Sequence, residues 1–305
     1  MQRSLKAWVM AARLHTLPAG IAPVVVGIGL ASADGVFSWL PALAALVGAI
    51  LIQIGTNFVN DYTDALRGAD SPDREGFTRV TASGMIPAET VRMAAAVTFA
   101  AAIGVGFYLV YVGGAPIVVI GLVSILCGYA YTGGPIPFGY RGLGDLFVFV
   151  FFGLVAVAGT YYVQAVDILA DPLTLTIPAG TVTLEAILGG VAMGALTTAI
   201  LVINNLRDIE EDREAGKRTL AVVLGPTWTR IEFTALLVLA YLVPVYFILE
   251  GAPLAAVVFL SLPYAGLLLR TIWRTREGQA LNEALSRMGR LTLGFALLFA
   301  AGVAL

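Results

Sequence analysis

One cysteine and one histidine occur in 305 residues, and charged side chains make up only 12% of them. A lone Cys127 allows no disulfide framework and no thiolate spacing for a metal; inside an apolar run it reads as a small core residue. His15, at the start of the first apolar run, has the titration range of a general base but no visible partner, and it reads as structural. The net charge is −2, and the basic residues are spread among short polar segments. With no concentrated basic face, nucleic acid is excluded as a partner. No cleavable leader is expected either: the first apolar run is too long, carries Pro18 near its start, and is followed by no clear cleavage site.

Hydrophobic residues are what the chain has in excess, 59% of the total, with a mean hydropathy of +0.89. Such values lie beyond ordinary globular usage and indicate an all-α polytopic membrane protein. A spanning helix takes about 20 apolar residues. Nine stretches qualify, at 14–32, 39–61, 91–112, 115–131, 143–163, 184–205, 230–250, 252–273 and 289–305. Lys and Arg test this assignment independently, because positive charge collects on the cytoplasmic side of short loops. With nine spans all 18 fall on one side, and the loops at 33–38, 113–114, 164–183 and 251 carry none. The N-terminus is then cytoplasmic and the C-terminus outside, as suits a plasma-membrane protein.

Two polar clusters interrupt the apolar pattern. Asn60-Asp61-Tyr62-Thr63-Asp64 ends the second span, and Asn205-Leu206-Arg207-Asp208 through Asp212 ends the sixth. Both face the cytoplasm and both run into long arginine-bearing loops, which suggests one domain, 1–305, built from two related halves, with motifs at 57–70 and 204–219. Long connections in a compact bundle are usually functional, and these read as lids over a cavity. Helical spacing puts Asn60 with Asp64 on one face and Asn57 with Asp61 on a neighbouring one. In the second cluster Asn205, Asp208 and Asp212 form a stripe. Like charges kept together at a membrane edge are costly, and a divalent cation between them removes the cost. Carboxylate and amide oxygens are hard ligands suited to Mg²⁺, which fills its remaining positions with water and phosphate.

Basic residues beside these carboxylates, Arg79 and Arg207 together with Lys217 and Arg218, suit a phosphate-bearing ligand, most simply a diphosphate. At the mouth of an apolar bundle the rest of its ester lies in hydrocarbon, so a polyprenyl chain fits. Tyr62, Tyr129 and Tyr131 lie near that mouth as candidate walls of the prenyl or acceptor pocket. Aromatic faces stabilise an allylic cation that must be kept from water.

The residues then carry a resemblance. Gln53-Ile54-Gly55-Thr56-Asn57-Phe58-Val59 leading into the first cluster, Gly68-Ala69-Asp70 after it, and Asn204 through Leu220 resemble the UbiA-type intramembrane prenyltransferases. The resemblance is closest to their 1,4-dihydroxy-2-naphthoate branch. Leu17-Pro18-Ala19 and Tyr131-Thr132-Gly133-Gly134-Pro135 extend it over the whole chain. It implies nine helices in one bundle around a central cavity, with two Mg²⁺ ions held by the two motifs and a diphosphate between them.

By matching residue to residue, Asn60, Asp64, Asp208 and Asp212 are the implied metal ligands, with Asp61 beside them. Asn57, Asp70 and Asn205 support them, and Arg79 and Lys217 hold diphosphate; Arg207 and Arg218 join these two by their charge beside the second motif. Asp64, Asp208 and Asp212 carry catalysis. Gly68 stands where the broad family has a third Asp, and Asp70 follows two residues later, as in the naphthoate branch. The implied reaction is Mg²⁺-dependent prenylation of 1,4-dihydroxy-2-naphthoate at its carboxyl-bearing carbon, releasing diphosphate and CO₂ and giving demethylmenaquinone. A sister enzyme using 4-hydroxybenzoate, another aromatic or a glycerol phosphate stays open. A cation or phosphate-solute transporter and a non-catalytic scaffold are less consistent with two clusters at one edge and spans whose outer halves hold hardly any ionisable groups.

Overall fold

A computed structural model describes residues 2–68, 77–135, 137–275 and 278–305, and all its regular elements are helical. In chain order they are α1 (Gln2–Ala12), α2 (Leu17–Ala33), α3 (Trp39–Leu66), α4 (Ala88–Ala130), α5 (Gly144–Val148), α6 (Ala156–Leu169), α7 (Leu184–Arg207), α8 (Ile209–Glu214), α9 (Leu220–Leu249), α10 (Leu262–Arg274) and α11 (Gly278–Ala304). A short 3₁₀ turn at Leu14–Thr16 leads into α2. A π-helical stretch, Phe149–Val155, joins α5 to α6, and a 3₁₀ stretch, Pro253–Ser261, leads into α10.

Eight of these stretches, joined ones counted together, are long and apolar enough to span a membrane. The longest resolves the difference from nine. α4 has 43 residues, about 64 Å of helix at 1.5 Å per residue, twice the hydrocarbon thickness. It breaks at Gly114, whose φ of 66° and ψ of −152° lie outside the helical region. A residue with a Cβ is disfavoured at that φ, and here the Cβ would also run into the backbone of Thr174. The Ala115 amide donates to Thr174 O at 2.9 Å, and the Leu173 amide donates to Tyr111 O at 3.0 Å, pinning the reversal against the 170–183 loop. The two limbs of α4 correspond to the expected third and fourth spans, which reconciles eight apolar stretches with nine expected spans.

Hydrogen bonds between loops sort the two ends of the bundle. At one end Tyr161 donates to Asp34 Oδ2 and Ser38 to Asp167 Oδ2, each at 2.6 Å. At the other, Tyr140 donates to Asp64 Oδ1 at 2.6 Å, Arg67 donates to Gly134 O at 2.5 Å, and the Arg218 amide donates to Tyr140 O at 2.9 Å. Both polar motifs therefore meet at one end, which is what a joint site requires.

Lipid tails are as apolar as leucine, so packing rather than water exclusion holds these helices together, and small residues permit close approach. α7 runs through the centre, with Ala192, Met193, Ala195, Leu196 and Ala199 inaccessible. A Cβ on Gly194 would lie 2.7 Å from Phe149 O, so the π-helical segment can sit directly against α7 only because this position is glycine. That contact sets the position of the second motif, which α7 carries at its end.

Candidate active site

A cavity of about 570 Å³ opens at the end where the motifs meet. Asn60, Asp64, Arg79, Asn204, Arg207, Asp208, Asp212 and Lys217 line its mouth, while Val24, Ile52, Val110, Ile117, Phe151 and Phe152 are among its apolar walls. Phe107 and Leu122 also line it and are 72% and 63% exposed. The cavity is thus open towards the lipid-facing surface of α4.

One wall is a stripe along α3. Gln53, Asn57, Asn60 and Asp64 follow one another at intervals of four, three and four residues, the spacing of a single helical face, and all four line the cavity. Partners from the 131–143 loop fix the outermost two. Thr132 donates to Asn60 Oδ1 at 2.7 Å and pairs with Thr63 at 2.9 Å; Tyr140 donates to Asp64 Oδ1.

Asp61, on the neighbouring face, does something else. One of its oxygens accepts the Val80 amide at 3.2 Å, and the other accepts both the amide and the hydroxyl of Thr81, at 3.0 and 2.6 Å. Expected as a metal ligand, it instead anchors the loop after the first motif, because adjacent residues on a helix point about 100° apart. That anchoring holds Arg79 at the cavity wall.

The facing wall is the junction of α7 and α8. Asp208 leaves helical geometry with φ −94° and ψ 11°, which ends α7 and begins α8. Arg207 grips it with Nε on Oδ1 at 2.5 Å and Nη2 on Oδ2 at 2.7 Å, and also donates to Asn204 Oδ1 at 2.9 Å and Asn282 Oδ1 at 2.6 Å. The side chains of Arg207 and Asp208 are 2% and 1% exposed. Arg207 was expected on the diphosphate; its fork is instead engaged with the carboxylate, the geometry for which guanidinium is preorganised.

Lys217 joins the two walls. Its ammonium lies 3.8 Å from Asp64 Oδ2 and 3.5 Å from Asp212 Oδ1, and 4.8 Å from the centre of the Tyr140 ring. One cation therefore sits between a carboxylate of the first motif and one of the second.

Of the expected residues, Asn57, Asn60, Asp64, Arg79, Tyr131, Asn205, Arg207, Asp208, Asp212 and Lys217 share this cavity. Four do not belong to its lining. Arg218 is exposed, since only its backbone bonds to the 131–143 loop. Tyr62 packs into a separate apolar cluster with Phe58, Val59, Val80 and Val91. Tyr129 is 44% exposed on α4, and Asp61 faces its loop. Asp70 lies outside the described residues. Tyr140, Thr132 and the ring pair His15–Phe77, stacked at 4.1 Å, were not expected at the site. Spacing along one helix carries no information about which distant loop closes over it.

The donors fit Mg²⁺. Amide and carboxylate oxygens at the mouth are hard ligands, and a cation already bridges the motifs. Among the described residues no three acidic, His or Cys side chains are close enough to hold a metal by themselves. Mg²⁺ ordinarily takes only one or two carboxylates and completes its shell from water and substrate phosphate, so this sparse set is the expected one. Removing the Tyr140 hydroxyl frees Asp64 to rotate. Tyr140→Phe is expected to lower kcat/KM by roughly tenfold, the low end for losing a support of a metal ligand. Steady-state kinetics at varied Mg²⁺ checks this, with the loss appearing largely as a raised Mg²⁺ requirement.

The chain and its helical bundle have counterparts in known proteins. A family model described as the UbiA prenyltransferase family matches residues 20–303. The chain is 37% identical to the 1,4-dihydroxy-2-naphthoate octaprenyltransferase of Mycobacterium tuberculosis, over 99% of this chain and 98% of that one. It is 41% identical to the Escherichia coli protein of the same name, over 76% and 73%. Among solved structures it superposes on a UbiA homolog from Aeropyrum pernix with a TM-score of 0.68 at 15% identity, covering 90% of this chain and 96% of that one. A UbiA homolog from Archaeoglobus fulgidus bound to GPP and Mg²⁺ gives 0.65 at 15%, covering 98% and 100%.

Proposed function

The chain belongs to the UbiA prenyltransferase family, and from that premise we propose that it transfers a polyprenyl group from polyprenyl diphosphate to 1,4-dihydroxy-2-naphthoate. Diphosphate and CO₂ leave, and demethylmenaquinone is the product. The single observation that carries this reading is Lys217 lying between Asp64 and Asp212 at the polar mouth of an apolar cavity. Only a ligand with an anionic head and a hydrocarbon body matches both parts. The relative bound to GPP and Mg²⁺ and the relatives named for the naphthoate reaction supply the chemistry of each end.

Asn60, Asp64, Asp208 and Asp212 would hold Mg²⁺, most simply two ions, with Asn57 and Asn205 beside them. Bound there, Mg²⁺ supplies Lewis-acid neutralisation of the departing diphosphate. Lys217 and Arg79 hold diphosphate oxygens as preorganised positive charge. Tyr140 and Thr132 orient Asp64 and Asn60, and Arg207 orients Asp208. The apolar walls keep water from the allylic carbon, and ring faces at Phe147, Phe151 and Phe152 stabilise its positive charge. The opening beside Phe107 and Leu122 gives the polyprenyl tail a way into lipid. Asp61 serves the loop that bears Arg79. Lys and Arg collecting in the loops on the side of the motifs support a mouth at the cytoplasmic face of the plasma membrane, with the C-terminus outside, and both motifs would act within one domain.

Membranes carrying the protein, given Mg²⁺, a labelled polyprenyl diphosphate and either dihydroxynaphthoate or 4-hydroxybenzoate, test the assignment. Prenylated, decarboxylated product from the naphthoate alone is expected, abolished by EDTA and restored by Mg²⁺. Product from hydroxybenzoate alone would defeat the acceptor assignment; turnover indifferent to EDTA would defeat the metal.

A further inference from the structure

We infer that Gln53 recognises a ring hydroxyl of the aromatic acceptor, its side-chain oxygen accepting the hydroxyl proton inside the cavity. The observation is a buried acceptor without a partner. Gln53 lines the cavity and is 7% exposed, and among the described residues its Oε1 has no hydrogen bond. A buried polar atom left so is costly and calls for an explanation.

The orientation of the amide is fixed by its neighbours. Thr16 donates its single hydroxyl proton to Arg13 O at 2.9 Å, so its oxygen can only accept. It accepts from Asn57 Nδ2 at 3.0 Å and from Gln53 Nε2 at 3.0 Å. Asn57 is held the same way round, because its Nδ2 also donates to Ala12 O at 3.0 Å. Turning the Gln53 amide over would set oxygen against oxygen at Thr16. Oε1 is therefore the end without a partner; it is shielded by its neighbours, and a small shift of the side chain when the acceptor binds uncovers it.

Depth narrows what can satisfy it. Gln53 lies seven residues before Asn60 on α3, roughly 10 Å along the helix axis from the polar mouth. A polyprenyl chain has no hydrogen-bond donor, and the diphosphate is an acceptor held at the mouth. Resting on the function proposed above, the acceptor substrate is the remaining source, and its donors are two ring hydroxyls para to one another. Gln53 is thus a specificity-determining residue, selecting acceptors that carry a hydroxyl at the matching ring position.

The test compares wild type with Gln53→Met, similar in length but unable to accept this bond strongly. Inhibition constants are measured for 1-hydroxy-2-naphthoate and 4-hydroxy-2-naphthoate, each lacking one hydroxyl, alongside KM for dihydroxynaphthoate and for the polyprenyl diphosphate. In wild type the analogue without the recognised hydroxyl is expected to bind roughly tenfold more weakly than the other. In Gln53→Met that preference disappears, acceptor KM rises by about as much, and KM for the diphosphate is unchanged. A preference that persists in the variant, as a water-filled site would give, overturns the inference, as does an equal rise in both KM values. Should Gln53→Met fail to fold, Gln53→Asn withdraws the oxygen by one methylene and carries the same comparison. Wild-type turnover of dihydroxynaphthoate is measured first: its absence defeats the functional assignment itself, whereas its presence with unaltered discrimination defeats Gln53 alone.

Discussion

Turnover by Asp64→Ala is expected to fall by on the order of a thousandfold, the upper range for deleting one preorganised electrostatic group at a reacting centre. Asp64 touches both partners that define the mouth, accepting the Tyr140 hydroxyl on one oxygen and facing Lys217 with the other. Alanine removes an implied metal ligand and leaves Lys217 with Asp212 alone, so charge on the departing diphosphate is neutralised less fully when the bond breaks. Single-turnover rates with prebound polyprenyl diphosphate check it. The loss should reside in the chemical step, and excess Mg²⁺ should not repair it. A variant within tenfold of wild type would remove Asp64 from the site.

Arg207→Met is expected to destabilise the protein by about 3–5 kcal/mol, the usual result of breaking a buried ion pair at one partner. Asp208 is 1% exposed and receives two bonds from this guanidinium, so without it a carboxylate stays buried at the edge of the membrane with its main counter-charge gone. Lysine is a poor replacement, because one ammonium cannot span two carboxylate oxygens and also reach Asn204 and Asn282. Unfolding in detergent with EDTA measures the loss. Mg²⁺ should return part of it, since a divalent cation at Asp208 stands in for the missing charge. Equal stability with and without Mg²⁺ would separate Asp208 from the metal.

The class of fold was legible because apolar length is a one-dimensional property. Spanning runs and the one-sided distribution of Lys and Arg need no tertiary information, and they divided residues 91–131 into two spans that continuous helical assignment joins. Helix periodicity likewise placed Asn60 with Asp64. The same periodicity shows why Asp61 serves a different purpose, since the residue beside a cavity-facing one must point elsewhere on the helix. Arg207 was assigned to diphosphate from its charge alone. Its neighbours Asn204 and Asp208, one helical turn apart, and Asn282, 75 positions away, decide otherwise. Tyr140 had no readable signal and Thr132 only its place in the match at 131–135, because their role arises from a loop 76 and 72 positions from the residues they bind. Tyr62 and Tyr129 looked plausible by nearness to the mouth, but nearness along the chain does not fix which way a ring turns.

Cooperation of the two motifs on one Mg²⁺-diphosphate head is tested most directly by binding rather than turnover. Calorimetric titration with a non-ionising thiolo analogue of a prenyl diphosphate, with and without Mg²⁺, would be run on wild type, Asp64→Asn, Asp212→Asn and the double variant. Either single substitution is expected to remove most of the Mg²⁺-dependent affinity, and the double variant to lose hardly more than the worse single one, the non-additivity of groups acting on one ligand. Losses that simply add, or wild-type binding that ignores Mg²⁺, would contradict a shared site.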